Sequence, residues 1–121
     1  VKSNEGFYSL IAQADVLLDP IPFSGGITSL DSFALSIPIV TLPTNHFLSF
    51  LTARCYEWMG LRHYVPTTQE DYVQLAVKTA TDQDFRQQFK TDIENNNRVL
   101  YETMESVKEL ESILLSFAQF L

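Results

Sequence analysis

In the stretch PFSGGITSLDSFALSIPIVTLP, residues 22–43, two adjacent glycines stand directly in front of a run with helical spacing. Gly25 and Gly26 lack Cβ atoms, so a ligand can approach the backbone closely where a strand end meets a helix start. The amides of such a turn face outward. A helix N-terminus also carries roughly half a positive charge, which favours a diphosphate even where cationic side chains are few. Thr28 adds a hydroxyl donor for a phosphate, and Asp31, one turn further on, can accept hydrogen bonds from a pair of ribose hydroxyls. The same residues fit a plainer arrangement: glycines for a tight turn, with Thr28 and Asp31 as the two ends of a capping box. The local pattern leaves both open.

Other residues with chemical potential carry less. Asp82-Gln83-Asp84 matches the D-x-D pattern that holds a divalent metal in GT-A glycosyltransferases, but it opens a predicted helix, where aspartates serve the N-cap and the dipole. His46 and His63 have no Cys, Asp or second His at metal-ligand spacing, and Cys55 falls on an apolar face as structural cysteines do. Glu102, Glu105, Glu109 and Glu111 read as a solvated helix face. No metal or other cofactor is expected.

The elements that must position the turn can be read from periodicity. Phe7, Leu10, Ile11 and Ala14 mark one face of a short opening helix. Val16, Leu17 and Leu18 form a buried strand stopped by Pro20, and Leu30, Phe33, Ala34 and Ile37 continue a helix that Pro38 ends. PIVTL is a second strand, apolar on both faces, so the pair predicts a βαβ unit with a covered parallel sheet. Phe47, Phe50, Leu51, Cys55, Trp58 and Met59 predict one helical face, closed by Gly60 as a left-handed cap. RHYVP reads as a brief third strand. Thr67 or Thr68 caps a helix with Val73, Ala76, Val77 and Ala80 on one face, and Asp82 caps another carrying Phe85, Phe89 and Ile93. ENNNR is a polar break before Val107, Leu110, Leu114, Phe117 and Leu121, a narrow apolar seam.

Composition bounds the rest. With 121 residues, 45% hydrophobic and 19% charged, the chain suits one folded domain, 1–121, rather than a disordered segment. The net charge is −7, and Lys2 is the only Lys or Arg before Arg54, so nothing offers a basic stripe to nucleic acid or anionic lipid. The lone Cys55 excludes an intrachain disulfide and suits a reducing, cytoplasmic setting. No apolar run reaches the ~20 residues of a membrane span. The chain opens at Val1 without a signal-peptide pattern, and the expectation is a piece of a longer protein.

The wider stretch ADVLLDPIPFSGGITSLDSFALSIPIVTLP resembles the nucleotide-sugar-binding region of GT-B glycosyltransferases, and within them the protein O-GlcNAc transferase family. The shared pattern is an A-D-V-x-L-D strand, a Gly-rich turn containing Thr, an acidic residue one turn into the helix, and a strand ending T-x-P. The likeness continues through SFLTARCYEWMGLRHYV, EDYVQLAVKTATD and LYETMESVKELES. It implies that Gly25, Gly26, Ile27 (through its backbone) and Thr28 hold the diphosphate of a UDP-sugar, that Asp31 holds its ribose, and that a ring at Phe7 or Tyr8 lies near the uracil. The eukaryotic members read His-Thr-Thr where this chain has Gly26-Ile27-Thr28. Their basic side chains near the diphosphate have one candidate counterpart, Lys2. Ser49-Phe50 stands where Ser-Arg is common, and Thr44 where Gly is.

The resulting expectation is an α/β chain, a Rossmann-like half-domain with a short parallel sheet and several flanking helices. It would form the donor-binding part of a glycosyltransferase that moves GlcNAc or another hexose to protein Ser/Thr, with the catalytic residues and acceptor site elsewhere. Two rivals stand beside it: a non-catalytic helical interaction module built on the apolar tail seam, and part of another sugar-nucleotide enzyme such as an epimerase.

Overall fold

Ser3 accepts a hydrogen bond from the Gly6 amide and so starts α1, Asn4–Ile11. This is the beginning of the computed structural model, which describes residues 3–120. Lys2, the candidate charge partner, and Leu121, the end of the apolar seam, lie outside the described residues. Ile11 is buried and Phe7 half-buried, but Leu10, expected on the same face, is exposed.

Two parallel strands follow, β1 at Leu17–Leu18 and β2 at Ile39–Val40, paired Leu17 with Ile39 and Leu18 with Val40. Between them runs α2, Ile27–Ala34. The βαβ unit is therefore present, with strands of only two residues. It ends α2 by a Schellman closure: the Ile37 amide reaches the Ser32 carbonyl at 3.0 Å and the Ser36 amide the Phe33 carbonyl at 3.0 Å. Ser36 takes the left-handed conformation this requires, at φ 57°.

The expected third strand at RHYVP does not form; Arg62–Tyr64 is a 3-10 turn. The reason lies at the free edge of β2. The Tyr56 hydroxyl accepts from the Ile39 amide at 3.0 Å and donates to the Ile39 carbonyl at 2.7 Å, so a phenol satisfies the groups a third strand would have paired. Tyr64 instead stacks on Phe89, ring centroids 3.7 Å apart and 11° from parallel, and its hydroxyl donates to Asp92 at 2.6 Å.

A 3-10 turn at Phe47–Phe50 leads into α3, Leu51–Trp58. Its three-residue repeat breaks the phase of the expected continuous face. Thr52, Cys55, Tyr56 and Met59 turn inward, while Phe47, Phe50, Leu51 and Trp58 are exposed. Gly60 closes α3 at φ 73°, with the Leu61 amide on the Tyr56 carbonyl at 2.8 Å. Thr68 caps α4, Gln69–Thr81, by accepting from the Asp71 amide, and Asp82 caps α5, Gln83–Asn96, by accepting from the Phe85 amide. On α4 the buried position is Thr79, and Val73 and Val77 face water.

The core joins Phe33 of α2, Ile39 of β2, Tyr56 of α3 and Phe89 and Ile93 of α5. Each such aromatic or branched side chain contributes about 1.5–3 kcal/mol by burial. The polar break at ENNNR is shorter than expected, because α5 runs to Asn96 before a 3-10 turn at Asn97–Leu100. There Asn97 donates to the Phe33 carbonyl at 2.8 Å, and Tyr101 donates to the Leu30 carbonyl. The last helix, α6, Met104–Ala118, buries no residue. Among the described residues no helix is long and apolar enough to cross a membrane. The whole is a mostly helical α/β chain with a small parallel sheet.

Candidate functional site

Parallel strands deliver their carboxyl ends to one edge, and loops leaving that edge are where ligands bind in α/β folds. Here β1 ends at Leu18, and Asp19 enters the loop that leads to Gly25, Gly26 and α2. Asp19 is 4% exposed. Its Oδ1 accepts from the Gly25 amide at 2.7 Å, and its Oδ2 accepts from the Ser24 hydroxyl at 2.7 Å and the Thr41 hydroxyl at 2.6 Å. The loop is thus held from beneath by one carboxylate, a role that periodicity and motif spacing did not single out.

The two glycines differ in purpose. A Cβ on Gly25 would stand 2.6 Å from Ser29 Oγ, so its smallness serves the chain's own close approach. Its amide is already taken by Asp19, which removes Gly25 from the expected set of phosphate donors. A Cβ on Gly26 would meet nothing within 4 Å. Gly26 is the N-cap of α2, and no side chain bonds the helix start.

The capping box is therefore absent. The helix begins at Ile27, which places Thr28 and Asp31 inside it, past the position where a side chain can cap. Among the described residues the amides of Gly26, Ile27 and Thr28 have no hydrogen-bond partner. Thr28 is exposed, and Ile27 is 78% exposed, an apolar side chain held in water at the helix start. Asp31, half-buried, accepts from the Tyr8 hydroxyl at 3.4 Å. The ring of Phe7 lies 5.9 Å from that of Tyr8, so α1 brings an aromatic pair to the Asp31 side of α2. Of the two rings, Tyr8 makes the contact with Asp31.

The turn stands between two recesses. One, of about 270 Å³, is lined by Asp19, Gly25, Thr28 and Ser29. The other, of about 420 Å³, is lined by Gly25, Gly26, Leu30, Leu51, Arg54 and Trp58. Arg54 and Trp58 were missed because the sequence put this helix's apolar residues in a core. Their four-residue spacing is the signal that could have paired them on one face. Arg54 is also bonded to Glu57 in an exposed ion pair, and Trp58 is 65% exposed.

The remaining candidates have structural work. Asp82 is the α5 cap, with Asp84 beside it in the first turn. His46 Nδ1 accepts from the Leu48 amide at 3.4 Å, and His63 packs on Tyr64 with ring centroids 4.3 Å apart. Burial pushes the Cys55 thiol up to about 11, so it is protonated at neutral pH and no thiolate nucleophile is present.

"Probable UDP-N-acetylglucosamine-peptide N-acetylglucosaminyltransferase SPINDLY" of Arabidopsis thaliana is 32% identical over 75 residues, 62% of this chain and 8% of that protein. The UDP-N-acetylglucosamine-peptide N-acetylglucosaminyltransferase of Caenorhabditis elegans is 25% identical over 103 residues, 84% of this chain and 9% of that one. A solved mutant of Thermobaculum terrenum O-GlcNAc transferase superposes with a TM-score of 0.80 at 27% identity, covering 93% of this chain and 22% of its own. The matches span about a tenth of the length of the plant and worm transferases and about a fifth of the solved chain. The model of glycosyl transferase family 41 matches residues 4–110, and the chain belongs to that family.

Proposed function

We propose that this chain is the nucleotide-sugar-binding part of a Rossmann-like GT-B enzyme. In the full-length protein that enzyme transfers GlcNAc or another hexose from a UDP donor to Ser or Thr of a protein acceptor. The observation that carries the reading is the trio of unpartnered amides at Gly26, Ile27 and Thr28, at the start of α2 and beyond the carboxyl end of β1. Family membership supports the donor class, and the names of the relatives support the acceptor. Phe7 or Tyr8 takes the base side, Asp31 the ribose, and Thr28 adds its hydroxyl to the diphosphate. Gly25 lets the turn close and donates nothing to the ligand.

As the glycosidic bond breaks, charge accumulates on the departing UDP. Amides fixed in advance and a helix dipole stabilise that charge without reorganising, which is electrostatic catalysis aimed at the leaving group. Arg54 lines the recess beside Gly26 and is the cation available to it, since exposed ion pairs such as its bond with Glu57 are weak. The reading needs no metal, and the lone protonated thiol suits a cytoplasmic enzyme.

Titration calorimetry on the full-length protein tests this. UDP is expected to bind on the order of tenfold or more tightly than UMP, the worth of one charge-assisted hydrogen bond. Equal affinities would put all contacts on the base and ribose and overturn the diphosphate assignment. Asp31→Asn sharpens the ribose assignment, because Asp31 caps nothing: the melting temperature should hold while UDP affinity falls by about 1.5–3 kcal/mol.

A further inference from the structure

Asp19 is buried without a cation. Among the described residues no Lys or Arg forms an ion pair with it, and its charge is met by three short hydrogen bonds from neutral groups. A carboxylate only accepts, and this fixes the direction of every bond behind it. Ser24 must spend its proton on Asp19. The 2.7 Å bond between Ser24 and Thr52 is therefore donated by Thr52, and the 2.8 Å bond between Thr52 and Ser29 is donated by Ser29. The result is a one-way chain, Ser29 to Thr52 to Ser24 to Asp19, that starts inside the first turn of α2 and ends at the carboxylate. Asp19 also holds the Gly25 amide directly, its own carbonyl accepts from Tyr72 at 3.1 Å, and its own amide bonds the Val40 carbonyl at 2.9 Å. One side chain thus ties the glycine turn and the start of α2 to α3, and through its backbone to β2 and α4.

We propose that Asp19 is the positioning residue of the diphosphate turn. By holding Gly25 directly and Ser29 through Thr52 and Ser24, it fixes the turn from which the amides of Gly26, Ile27 and Thr28, unpartnered among the described residues, open toward an anion. It touches no part of the ligand. The proposal rests on the donor-site reading above and adds the residue that sets the site's geometry.

Asparagine at this position keeps the shape and can still accept from Gly25, but its amide must donate where the carboxylate accepted. That reverses the hydroxyl chain, turns the Ser29 proton outward and loosens the helix start from the turn. The test compares Asp19→Asn with wild type in the full-length protein, using UDP and uridine as the two probes. Positioning of the phosphate turn predicts a loss for UDP on the order of tenfold, the scale of one charge-assisted hydrogen bond, with uridine affinity unchanged. A purely structural role would weaken both ligands together or neither, and either result overturns the proposal. Should Asp19→Asn fail to fold, Thr52→Val interrupts the chain at its middle and must show the same split between UDP and uridine; equal behaviour toward both overturns it. If wild type itself binds UDP no better than uridine, the diphosphate reading falls and this proposal with it, a result visible before any variant is made.

Discussion

The glycine turn and α6 invert each other. Around the turn Asp19, Ser24, Ser29, Thr41 and Thr52 are polar and buried. Along α6 Val107, Leu110, Leu114 and Phe117 are apolar and exposed. Residue type alone would have assigned them the other way round. Burial here follows what covers a segment and whether its polar groups find partners. Every buried side-chain polar atom among the described residues has a partner, which removes the cost of about 1–3 kcal/mol that an unpaired one would carry. α6 has an apolar face, and among the described residues none of it is buried.

The largest effect that would break this contrast is removal of the buried acceptor. Asp19→Ala orphans Gly25 N–H and the Ser24 and Thr41 hydroxyls at once, and should cost about 3 kcal/mol or more, read by chemical denaturation. A loss under about 1 kcal/mol would mean that water replaces the carboxylate and that the turn is not closed from beneath. Next is Tyr56→Phe, which keeps the core ring but strips the edge of β2 of its partner. About 2 kcal/mol is expected from two unsatisfied groups at Ile39, with amide exchange at Ile39 rising first.

The two glycines give a sharper, smaller test. Gly25→Ala drives a Cβ to 2.6 Å from Ser29 Oγ, so Ser29 must swing off Thr52, at a cost of about 1 kcal/mol for the lost hydrogen bond. Gly26→Ala has open space and loses only the preference of an N-cap for Gly over Ala, so it should cost less, about 0.5 kcal/mol. Its larger effect should appear in UDP affinity. The reverse ranking would exchange the roles assigned to the pair.

How much of this was legible depends on whether a residue's role is local. Gly60 announced its left-handed cap because glycine alone takes that conformation freely, whereas Ser36 performs the same closure at φ 57° and looks like any serine. The caps at Thr68 and Asp82 were readable, since each acts within three residues of itself. The acidic residue at 31 was readable as a site candidate but not as free of capping, because the helix starts before Thr28 rather than after it. The third strand failed because its place at the β2 edge was held by Tyr56, seventeen residues from Ile39 in sequence. Asp19 was invisible as an anchor for the same reason: its partners at Thr41 and, through Ser24, at Thr52 become neighbours only in the fold. The glycine-rich turn itself, and the family it belongs to, could be read directly.

A modest effect is expected at high pH. Burial pushes the Tyr101 phenol, which donates to the Leu30 carbonyl, up to about 12, and the Cys55 thiol up to about 11. Both are raised above their ordinary values of 10 and 9, so the folded chain favours the protonated forms. Their contribution is whole below pH 9 and is lost as pH climbs toward 12. Tyr101→Phe should flatten that decline above pH 10 in pH-dependent unfolding; an unchanged slope would show that the Tyr101 phenol is not withdrawn from water against α2.

The smallest effect belongs to α6, and it is the one that most directly tests the inversion. Leu114 is 60% exposed, and its side chain has no core to leave. Placing a charge there costs little when the group already stands in water, so Leu114→Glu should change stability by less than about 0.5 kcal/mol. The fold of the turn, read by UDP affinity, should be untouched. A loss of several kcal/mol would show that the seam is covered in the full-length protein and that the exposure of α6 is a property of this chain alone. Light scattering on the same variant adds the second reading. A wild type that associates and a variant that does not would make the seam an interface, while two identical masses and identical stabilities would leave it an apolar face that solvent tolerates.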